Sequence, residues 1–339
     1  SALMSGGYPS PLGSNTEEWA FSGIPPTAPA AGYSDAIVGQ MYYNSTSGQF
    51  KAIKEGVGSW SSGGNLNLAR GGGATSQQGT ISASIIAGGE TPAPAITAVT
   101  ESYNGTNWTE VNDLNVARRG IVGTGTQTAA LAVAGVNDPT WYTNVESWDG
   151  TNWTETTDIN TSRAYMYSLG SQTAGLIAGG YTPPSFGVTG VTEVWNGSTW
   201  TEVNDLNTSR FGMGGAGTNT AGLVAGHNTS SGITESWNGS SWTEVADLNT
   251  ARGENTTLGA VQTSALTFGG TASGPSIVTK TETFDGTSWS EQNDLSNARR
   301  YSGGSGTISS ALAIGGATGG TATEEWEVPD FAINTVTTS

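Results

Sequence analysis

Few side chains in this sequence could perform chemistry, and most of those that could recur at fixed places in a repeat. The 339-residue chain has eight arginines, one histidine and no cysteine. Six of the arginines stand at one repeat position: Arg70, Arg118, Arg163, Arg210, Arg252 and Arg299. A glutamate recurs at a second position: Glu101, Glu146, Glu193, Glu235, Glu282 and Glu325. We interpret the two sets as periodic ion pairs that tie the repeats together, rather than as parts of one catalytic site.

The composition excludes several classes of function. A single histidine cannot supply two imidazoles to a mechanism, and without cysteine there is no thiolate metal site, thiol nucleophile or disulfide. Lys plus Arg number 11 against 28 Asp plus Glu, which gives a net charge of −17. Such a surface repels phosphate backbones and anionic membranes, and no apolar run approaches the ~18 residues of a membrane span. We expect no nucleic acid partner, no membrane insertion, no metal and no cofactor.

A repeat of 42 to 48 residues organises the sequence. It is marked by six tryptophans: Trp60, Trp108, Trp153, Trp200, Trp242 and Trp289. Each full unit has a glycine-rich segment after the arginine, an apolar run such as LIAGG (176–180), a Thr-Glu-x-aromatic segment and the tryptophan segment. An Asn-Gly or Asp-Gly turn, a strong hairpin signal, joins the last two. We expect these tryptophans in the core, where truncation to alanine costs about 3–5 kcal/mol.

Four short antiparallel strands per unit, repeated six or seven times, predict an all-β fold of the β-propeller type. The succession of arginine, glycine-rich strand, apolar strand ending in Gly-Gly, aromatic after glutamate and then tryptophan resembles kelch repeats. The resemblance covers most of the chain, although the turns are shorter and richer in Asn, Thr and Gly than in kelch proteins. It implies a kelch-like propeller of four-stranded antiparallel blades.

Two enzyme activities of similar propellers do not fit this sequence. Galactose-oxidase chemistry uses a kelch-type propeller, but its copper site needs two histidines and a cysteine-linked tyrosine, which the chain lacks. A sialidase needs arginines clustered at unique positions. Its Asp-box pattern is approached only by SWDGTNW (147–153), which lacks one residue between Asp and Gly. We therefore expect that the chain is not an enzyme.

The number of blades is open between seven and six, and we favour seven. Residues 1–23 contain ALMSGG and TEEWAF, which mirror the second and third strands of the last unit. In the seven-blade arrangement these strands open the first blade, the Trp60 strand completes it, and 328–339 forms a closing strand or a tail. In the six-blade alternative the Trp60 strand pairs with strands of 299–326, and 1–23 ends a preceding module. Residues 59–327 hold the blades.

Residues 24–58 interrupt the repeat. A Pro/Ala-rich connector is followed by VGQMYYNSTSGQFKAIKEG, which predicts a small hairpin that turns at Asn44–Gly48. This hairpin resembles short segments of tail-fibre and other virion proteins of bacteriophages. Its combination with glycine- and asparagine-rich kelch-like units is similar to marine phage structural proteins. The resemblance implies a fold and a setting only, because that family has no agreed catalytic residues to transfer.

Binding is expected in the loops between second and third strands, which differ from unit to unit. Five of their side chains break the repeat and carry rings: Trp141, Tyr142, Tyr181, Phe186 and His227. Loops on a rigid scaffold commonly carry binding, and aromatic rings suit sugar stacking or a protein contact. The alternative interpretation is ordinary loop packing.

We therefore expect a non-enzymatic structural or receptor-binding component of a virion, in a tail fibre or surface appendage, which presents its loops to a host-surface glycan or protein. Its other partners are virion proteins, including further copies of itself. One alternative is a bacterial secreted or cell-surface adhesion module with the same fold. Another is a carbohydrate-active enzyme, for example a lyase that uses tyrosine and glutamate.

Overall fold

The computed structural model describes residues 56–329, except 93–94, 185, 228–230, 274–275 and 319, together with five short strands outside that range. The chain divides into two compact units: Ser1–Val57 with Pro329–Ser339, and Gly58–Val328. All regular secondary structure in the described residues is β-structure. They include no helix with the length and apolarity to span a membrane.

The first unit contains two small sheets. Its strands are β1 (Ala2–Ser5), β2 (Thr16–Trp19), β3 (Met41–Asn44), β4 (Gln49–Lys54) and, at the far end of the chain, β34 (Ala332–Thr335). Strands β1 and β2 pair antiparallel, and β3, β4 and β34 form a three-stranded antiparallel sheet. Strands β3 and β4 are the arms of the hairpin that the sequence predicts, whereas the Pro/Ala-rich connector lies outside the described residues.

The second unit contains six four-stranded antiparallel sheets. Sheet 1 has β6 (Ala74–Thr75), β7 (Ser84–Glu90), β8 (Ile96–Tyr103) and β9 (Trp108–Val111). Sheet 2 has β10 (Val122–Thr126), β11 (Ala129–Asn137), β12 (Thr140–Trp148) and β13 (Trp153–Thr156). Sheet 3 has β14 (Tyr167–Ser171), β15 (Ala174–Ala178), β18 (Thr192–Trp195) and β19 (Trp200–Val203). Sheet 4 has β20 (Gly214–Thr218), β21 (Ala221–His227), β22 (Ser231–Trp237) and β23 (Trp242–Val245). Sheet 5 has β25 (Thr256–Val261), β26 (Ser264–Phe268), β29 (Thr281–Phe284) and β30 (Trp289–Glu291). Sheet 6 has β31 (Gly303–Gly306), β32 (Ser310–Ile314), β33 (Thr323–Glu327) and β5 (Ser59–Ser62). Two smaller sheets contain β16 (Tyr181–Thr182) with β17 (Gly187–Val188), and β24 (Arg252–Gly253) with β27 (Thr271–Ala272) and β28 (Ser276–Ile277).

The six sheets are arranged in a propeller-like manner. The first strands of consecutive sheets contact one another from sheet 1 to sheet 6, and β31 of sheet 6 also contacts β6 of sheet 1. These strands are rich in glycine because their backbones approach closely. A Cβ atom on Gly214 would lie 2.3 Å from the backbone nitrogen of Thr257 in the next sheet. The second strands are buried and apolar on both faces, as expected of strands covered by a sheet on each side.

The Trp60 strand belongs to sheet 6. Strand β5 pairs with β33, and Trp60 stands opposite Trp326. This pairing is that of the six-blade alternative; it contradicts the favoured arrangement, in which the Trp60 strand completes a blade with residues 1–23. The reason is that sheet 6 has no tryptophan strand of its own after β33. Trp60 supplies that ring, with centroids 4.9 Å from Phe268 and 5.4 Å from Trp326.

The C-terminal segment also differs from the seven-blade expectation. The sequence offered 328–339 as a closing strand of a blade or as a tail. Strand β34 within this segment pairs with β4, in register from Ala332 opposite Lys54 to Thr335 opposite Lys51. It therefore extends the β3–β4 hairpin of the first unit and is not a strand of any of the six four-stranded sheets.

The recurring tryptophans fill each sheet and also bond to its neighbour. In sheet 2 the rings of Trp148 and Trp153, opposite each other on the third and fourth strands, have centroids 5.2 Å apart. The indole N–H of Trp153 donates to Oγ1 of Thr100 in sheet 1 at 3.1 Å. The indole N–H of Trp108 in sheet 1 donates in the same way to Oγ1 of Thr323 in sheet 6 at 3.1 Å. The repeated threonine before the glutamate is thus an acceptor between sheets.

A glutamate on the third strand of each sheet binds the segment by which the chain enters that sheet. In sheet 4, Oε1 of Glu235 lies 3.0 Å from Nη2 of Arg210, and its Oε2 accepts hydrogen bonds from the backbone and side-chain nitrogens of Asn207 at 2.8 and 2.9 Å. The arginine and the glutamate are both fully buried. The same ion pair recurs as Arg70–Glu101, Arg118–Glu146, Arg163–Glu193, Arg252–Glu282 and Arg299–Glu324.

The sixth pair corrects one expectation, because Arg299 contacts Glu324 and not Glu325. The segment TEEW (323–326) aligns with TETF (281–284), so the alternation of side chains along the strand turns Glu324 toward the arginine. Glu325 has another role: its Oε1 accepts a hydrogen bond from the hydroxyl of Tyr103 in sheet 1 at 2.7 Å.

Replacement of Glu235 by glutamine tests the contribution of the ion pair. We expect the free energy of unfolding to fall by about 3–5 kcal/mol, because the charge of Arg210 stays buried without its partner. Urea denaturation measures the change. The matched control is Glu244→Gln: Glu244 stands opposite Glu235 in the sheet register but is exposed, so a change within about 0.5 kcal/mol is expected. Equal losses in the two variants would contradict this account.

Pairing of β5 with β33 can be tested by cross-linking, because the chain has no cysteine. Ser59 and Glu327 are opposite each other and exposed. We expect the double variant Ser59→Cys/Glu327→Cys to form one intrachain disulfide on oxidation and to raise the Tm, since it closes a long loop of the unfolded chain. Mass spectrometry and thermal denaturation are the measurements. A matched variant, Ser59→Cys/Ala20→Cys, represents the seven-blade pairing, because Ala20 follows Trp19 as Glu327 follows Trp326. A higher disulfide yield in this variant would overturn the observed pairing.

Candidate functional site

The two residues after each repeat arginine bring the variable loops together. The first of them pairs with the extension of the second strand, as in the bridge between Ala164 and Tyr181. The chain reaches this extension through consecutive residues of positive φ, here Gly179 at 65° and Gly180 at 105°. Each loop between the second and third strands therefore begins beside the entry to a first strand.

The second residue after each arginine, which we call the ring position, has a positive φ in every sheet. The ring residues, with φ between 49° and 65°, are Gly72, Gly120, Tyr165, Gly212, Glu254 and Tyr301. Their backbones form a chain of five hydrogen bonds, in which the amide N–H of every ring residue except Gly120 donates to the carbonyl oxygen of the preceding ring residue. The bonds run from Tyr165 to Gly120 (2.8 Å), from Gly212 to Tyr165 (3.1 Å), from Glu254 to Gly212, from Tyr301 to Glu254 (3.0 Å) and from Gly72 to Tyr301 (2.9 Å).

Three ring positions carry side chains although glycine adopts this conformation far more easily. A residue with a Cβ atom costs roughly 1–2 kcal/mol there. Tyr165, Glu254 and Tyr301 have this conformation at positions where the other three sheets have glycine, so each of them destabilises the backbone locally. Backbone strain of this kind clusters at functional sites, where a side chain is needed in a given place. The three residues are therefore the first candidates for a site.

The side chains at these three ring positions form one cluster, in which a hydrogen bond joins Tyr301 to Glu254 and an aromatic contact joins Tyr165 to Tyr301. The hydroxyl of Tyr301 donates to Oε1 of Glu254 at 2.6 Å, while Nη1 of Arg300 and the hydroxyl of Thr271 donate to its Oε2 at 3.0 and 2.7 Å. The ring of Tyr165 lies 5.3 Å from that of Tyr301. Burial raises the pKa of both tyrosines, so their hydroxyls keep their protons near neutral pH.

Arg119 links this group to the loops of sheets 1 and 2. Its Nη1 donates to Oε2 of Glu90 at 3.0 Å and to the hydroxyl of Tyr165 at 3.1 Å, and its Nη2 donates to Oδ2 of Asp138 at 2.6 Å. Burial acts to lower the pKa of Arg119, but the hydrogen bond with Asp138 and the charge of Glu90 outweigh it and raise that pKa. The guanidinium is thus fixed and fully charged.

These side chains surround a cleft of about 410 Å³, which we call the tyrosine cleft. Its polar and aromatic lining consists of Arg70, Glu90, Thr91, Arg119, Tyr165, Tyr181, Phe186, Arg300 and Tyr301. Its volume falls within the range of roughly 300–1,000 Å³ of small-molecule sites. The two arginines outside the buried repeat pairs, Arg119 and Arg300, are both in this lining. A smaller cavity of about 90 Å³ lies beside it, and Tyr165 with Tyr301 forms the shared wall.

Two of the five residues expected to bind from the sequence, Tyr181 and Phe186, line this cleft, and a third, Trp141, packs against Phe186. The ring of Phe186 lies 5.0 Å from that of Trp141 and 5.4 Å from that of Tyr181. Tyr181 also stacks at 3.7 Å on Phe211. Phe186 is 45% exposed and has a φ of 55°, so it combines strain with accessibility.

The other two residues lie elsewhere in the described part of the chain. Tyr142 is on β12 of sheet 2, where it stands opposite Gly135 of β11, and it is not part of the cleft lining. His227 ends β21, where burial and the nearby charge of Arg210 lower its pKa. The repeat tryptophans other than Trp60 and all six repeat arginines are buried, which fits a structural part for these residues.

Sequence reasoning missed the ring residues and the two arginines outside the repeat pairs, Arg119 and Arg300. The signal was present directly after each repeat arginine, where the pairs read GG, RG, AY, FG, GE and RY. The arginine is constant but the two residues after it vary, which indicates that the repeat does not require particular residues at these two positions. The sequence alone gave no reason to connect positions that are about 46 residues apart, because their proximity arises only when the sheets are arranged around one another.

Comparisons with known proteins add no family. No protein-family model matches the chain, and the search of curated protein sequences gives no match. Within the described residues, no group of three or more His, Cys, Asp or Glu side chains could hold a metal ion. Function is therefore inferred from the residues and their geometry.

Substitution of Gly72 by alanine isolates the cost of a side chain at a ring position. Gly72 has a φ of 65°, and a Cβ atom there would meet its nearest neighbour at 3.5 Å, which is an ordinary contact. We expect a loss of about 1–2 kcal/mol in the free energy of unfolding, from backbone conformation alone. Chemical denaturation is the measurement.

The matched control for this substitution is Gly175→Ala. Gly175 has no positive φ and similar space, so no loss, or a small gain from lower entropy of the unfolded chain, is expected. If Gly72→Ala is as stable as Gly175→Ala, the ring position is not strained and the selection of Tyr165, Glu254 and Tyr301 as functional residues loses its basis.

Proposed function

We propose that this chain is a non-enzymatic recognition module whose tyrosine cleft binds a ligand on a host cell surface. One observation carries the proposal. The repeat arginines and glutamates form buried ion pairs, whereas six residues that depart from the repeat line one cleft: Arg119, Tyr165, Tyr181, Phe186, Arg300 and Tyr301. A scaffold that is uniform except at one cleft is what a binding module requires.

We further propose that the six sheets are the blades of a closed, kelch-like propeller. Support comes from three links between sheets 6 and 1: the indole bond of Trp108 to Thr323, the bond of Tyr103 to Glu325, and the backbone bond of Gly72 to Tyr301. The sixth blade takes β5 from the opposite end of the unit. Such closure leaves no free inner edge and keeps the cleft rigid.

Binding accounts for the polar groups of the cleft better than turnover does. The carboxylate of Glu254, which lines the adjoining smaller cavity, accepts hydrogen bonds from Tyr301, Arg300 and Thr271. These donors already occupy both of its oxygens, and tyrosines with raised pKa values are not deprotonated near neutral pH. These groups suit hydrogen bonding to a ligand, and a lyase mechanism that uses tyrosine and glutamate as bases is disfavoured.

The setting we propose is a virion, as a component of a tail fibre or surface appendage. It rests on the resemblance of the β3–β4 segment to segments of phage virion proteins. Other virion proteins and further copies of the chain are the partners there, and several copies on one particle raise the avidity of a weak site. A secreted or cell-surface adhesion module would use the same cleft.

Binding of labelled protein to a panel of bacterial cells tests the proposal. We expect the wild type to bind at least one strain and Phe186→Gly to bind at least about tenfold more weakly, since the loss of an aromatic anchor costs 2 kcal/mol or more. Glycine suits the φ of 55° at this position, so the fold should survive. The control is Val261→Ala, which alters an exposed aliphatic side chain away from the cleft. Binding to no strain, or equal binding by Phe186→Gly and the wild type, would contradict the proposed function.

A further inference from the structure

We infer that the tyrosine cleft takes a neutral saccharide, by a ring that bears adjacent free hydroxyl groups. The inference rests on the proposed function and adds the chemical class of the ligand. It is carried by three properties of the cleft: its charges are already paired, its polar groups present donors and acceptors side by side, and its walls are aromatic.

The pairing of charges argues against a charged ligand. Arg119 is held by Glu90 and Asp138, and Arg300 is held by Glu254. An anionic ligand would have to displace a carboxylate from one of these guanidinium groups, within a chain of net charge −17. A cationic ligand would have to displace a guanidinium from its carboxylates. A neutral ligand can bind while all the ion pairs remain in place.

The polar groups of the cleft match the hydrogen-bonding pattern of a diol. Each hydroxyl group is both a donor and an acceptor. Arg119 and Glu90 both line the cleft, with Nη1 and Oε2 3.0 Å apart and with 23% and 35% of their side chains exposed. Adjacent hydroxyls can therefore donate to the carboxylate and accept from the guanidinium at the same time. Arg300, whose side chain is 38% exposed, adds a second donor to the lining, while its partner Glu254 lines the adjoining smaller cavity.

The aromatic walls suit the apolar face of a sugar ring. Tyr181 and Phe186 meet edge to face, with centroids 5.4 Å apart, and Tyr165 with Tyr301 lines the inner side. Rings fixed by mutual contacts lose little conformational entropy on binding, so they are efficient contact surfaces. A peptide would need backbone partners such as an open strand edge, and the cleft lining is instead made of side chains and turns.

Chemical treatment of the cells that bind the wild type tests the ligand class. Periodate cleaves adjacent hydroxyls, so we expect periodate-treated cells to lose at least about tenfold in binding, while mock-treated and protease-treated cells bind as before. Binding that survives periodate and is lost after protease would identify a protein ligand. That result would overturn the saccharide inference but leave the proposed recognition function intact, whereas absence of binding to every untreated strain would defeat the proposed function itself.

A pair of variants tests the role given to Arg300 as a hydrogen-bond donor in the cleft. We expect Arg300→Met to weaken binding at least about tenfold, and Lys280→Met, which removes an exposed lysine from a remote ion pair with Glu291 and Asp294, to leave binding unchanged. Thermal denaturation of both variants verifies the fold. Equal binding by Arg300→Met and Lys280→Met would overturn the assignment of hydroxyl contacts to Arg300.

Salt dependence distinguishes a neutral ligand from a charged one. Surface charges interact over a screening length that shrinks from about 10 Å at 0.1 M salt to about 3 Å at 1 M. For a neutral saccharide we expect the Kd on cells to change by less than about threefold over this range. A loss of tenfold or more would indicate a charged ligand and overturn the inference.

Discussion

The structure depends on one buried contact that occurs six times: a third-strand glutamate that binds the incoming chain through an arginine. In the five sheets where asparagine starts the segment, one oxygen of the carboxylate contacts the arginine, and the other accepts hydrogen bonds from the asparagine backbone and side chain. Burial lowers the pKa of the arginine, as for Arg210, because a buried charge is costly without its partner. The contact therefore fixes where each sheet begins relative to the sheet before it.

This constraint also creates the site. The two residues after the buried arginine form the turn that carries the chain of backbone hydrogen bonds between ring positions. Four of these residues, Arg119, Tyr165, Arg300 and Tyr301, place their side chains in the lining of the cleft, so a change of residue there alters the cleft. Half of the ring positions have kept glycine, and the other half carry Tyr165, Glu254 and Tyr301 at a cost in backbone energy. The cleft is thus lined by residues that differ from those at the same repeat positions in the other sheets.

Much of the fold could be predicted from the sequence, because its signals are local. Strand order within a sheet follows from the apolar run, the Asn-Gly turn and the tryptophan, and each is set by neighbours in the chain. The partner of the Trp60 strand could not be predicted, because two similar strand pairs, at 1–23 and near 323–327, compete for it over long distances. Which of Glu324 and Glu325 contacts Arg299 likewise depends on a difference of one residue in the strand register.

The candidate site was predictable only in part, for a related reason. Trp141, Tyr181 and Phe186 stood out as aromatic breaks in variable loops, and they do meet. The polar half of the cleft, Arg119 with Glu90 and Arg300, consists of residues of common type whose roles depend on proximity across different sheets. The repeat sets these two arginines apart from the other six, but only the arrangement of the sheets brings the two into one cleft.

The most direct test of the central claim is a double-mutant cycle at Arg210 and Glu235, with both residues replaced singly and together by methionine. If the carboxylate holds the incoming segment through the arginine, the two losses in free energy of unfolding will not add. The coupling should be about 2–3 kcal/mol, with the double variant more stable than the single losses predict. Additive losses, within about 0.5 kcal/mol, would show that the pair is not the contact on which the fold depends.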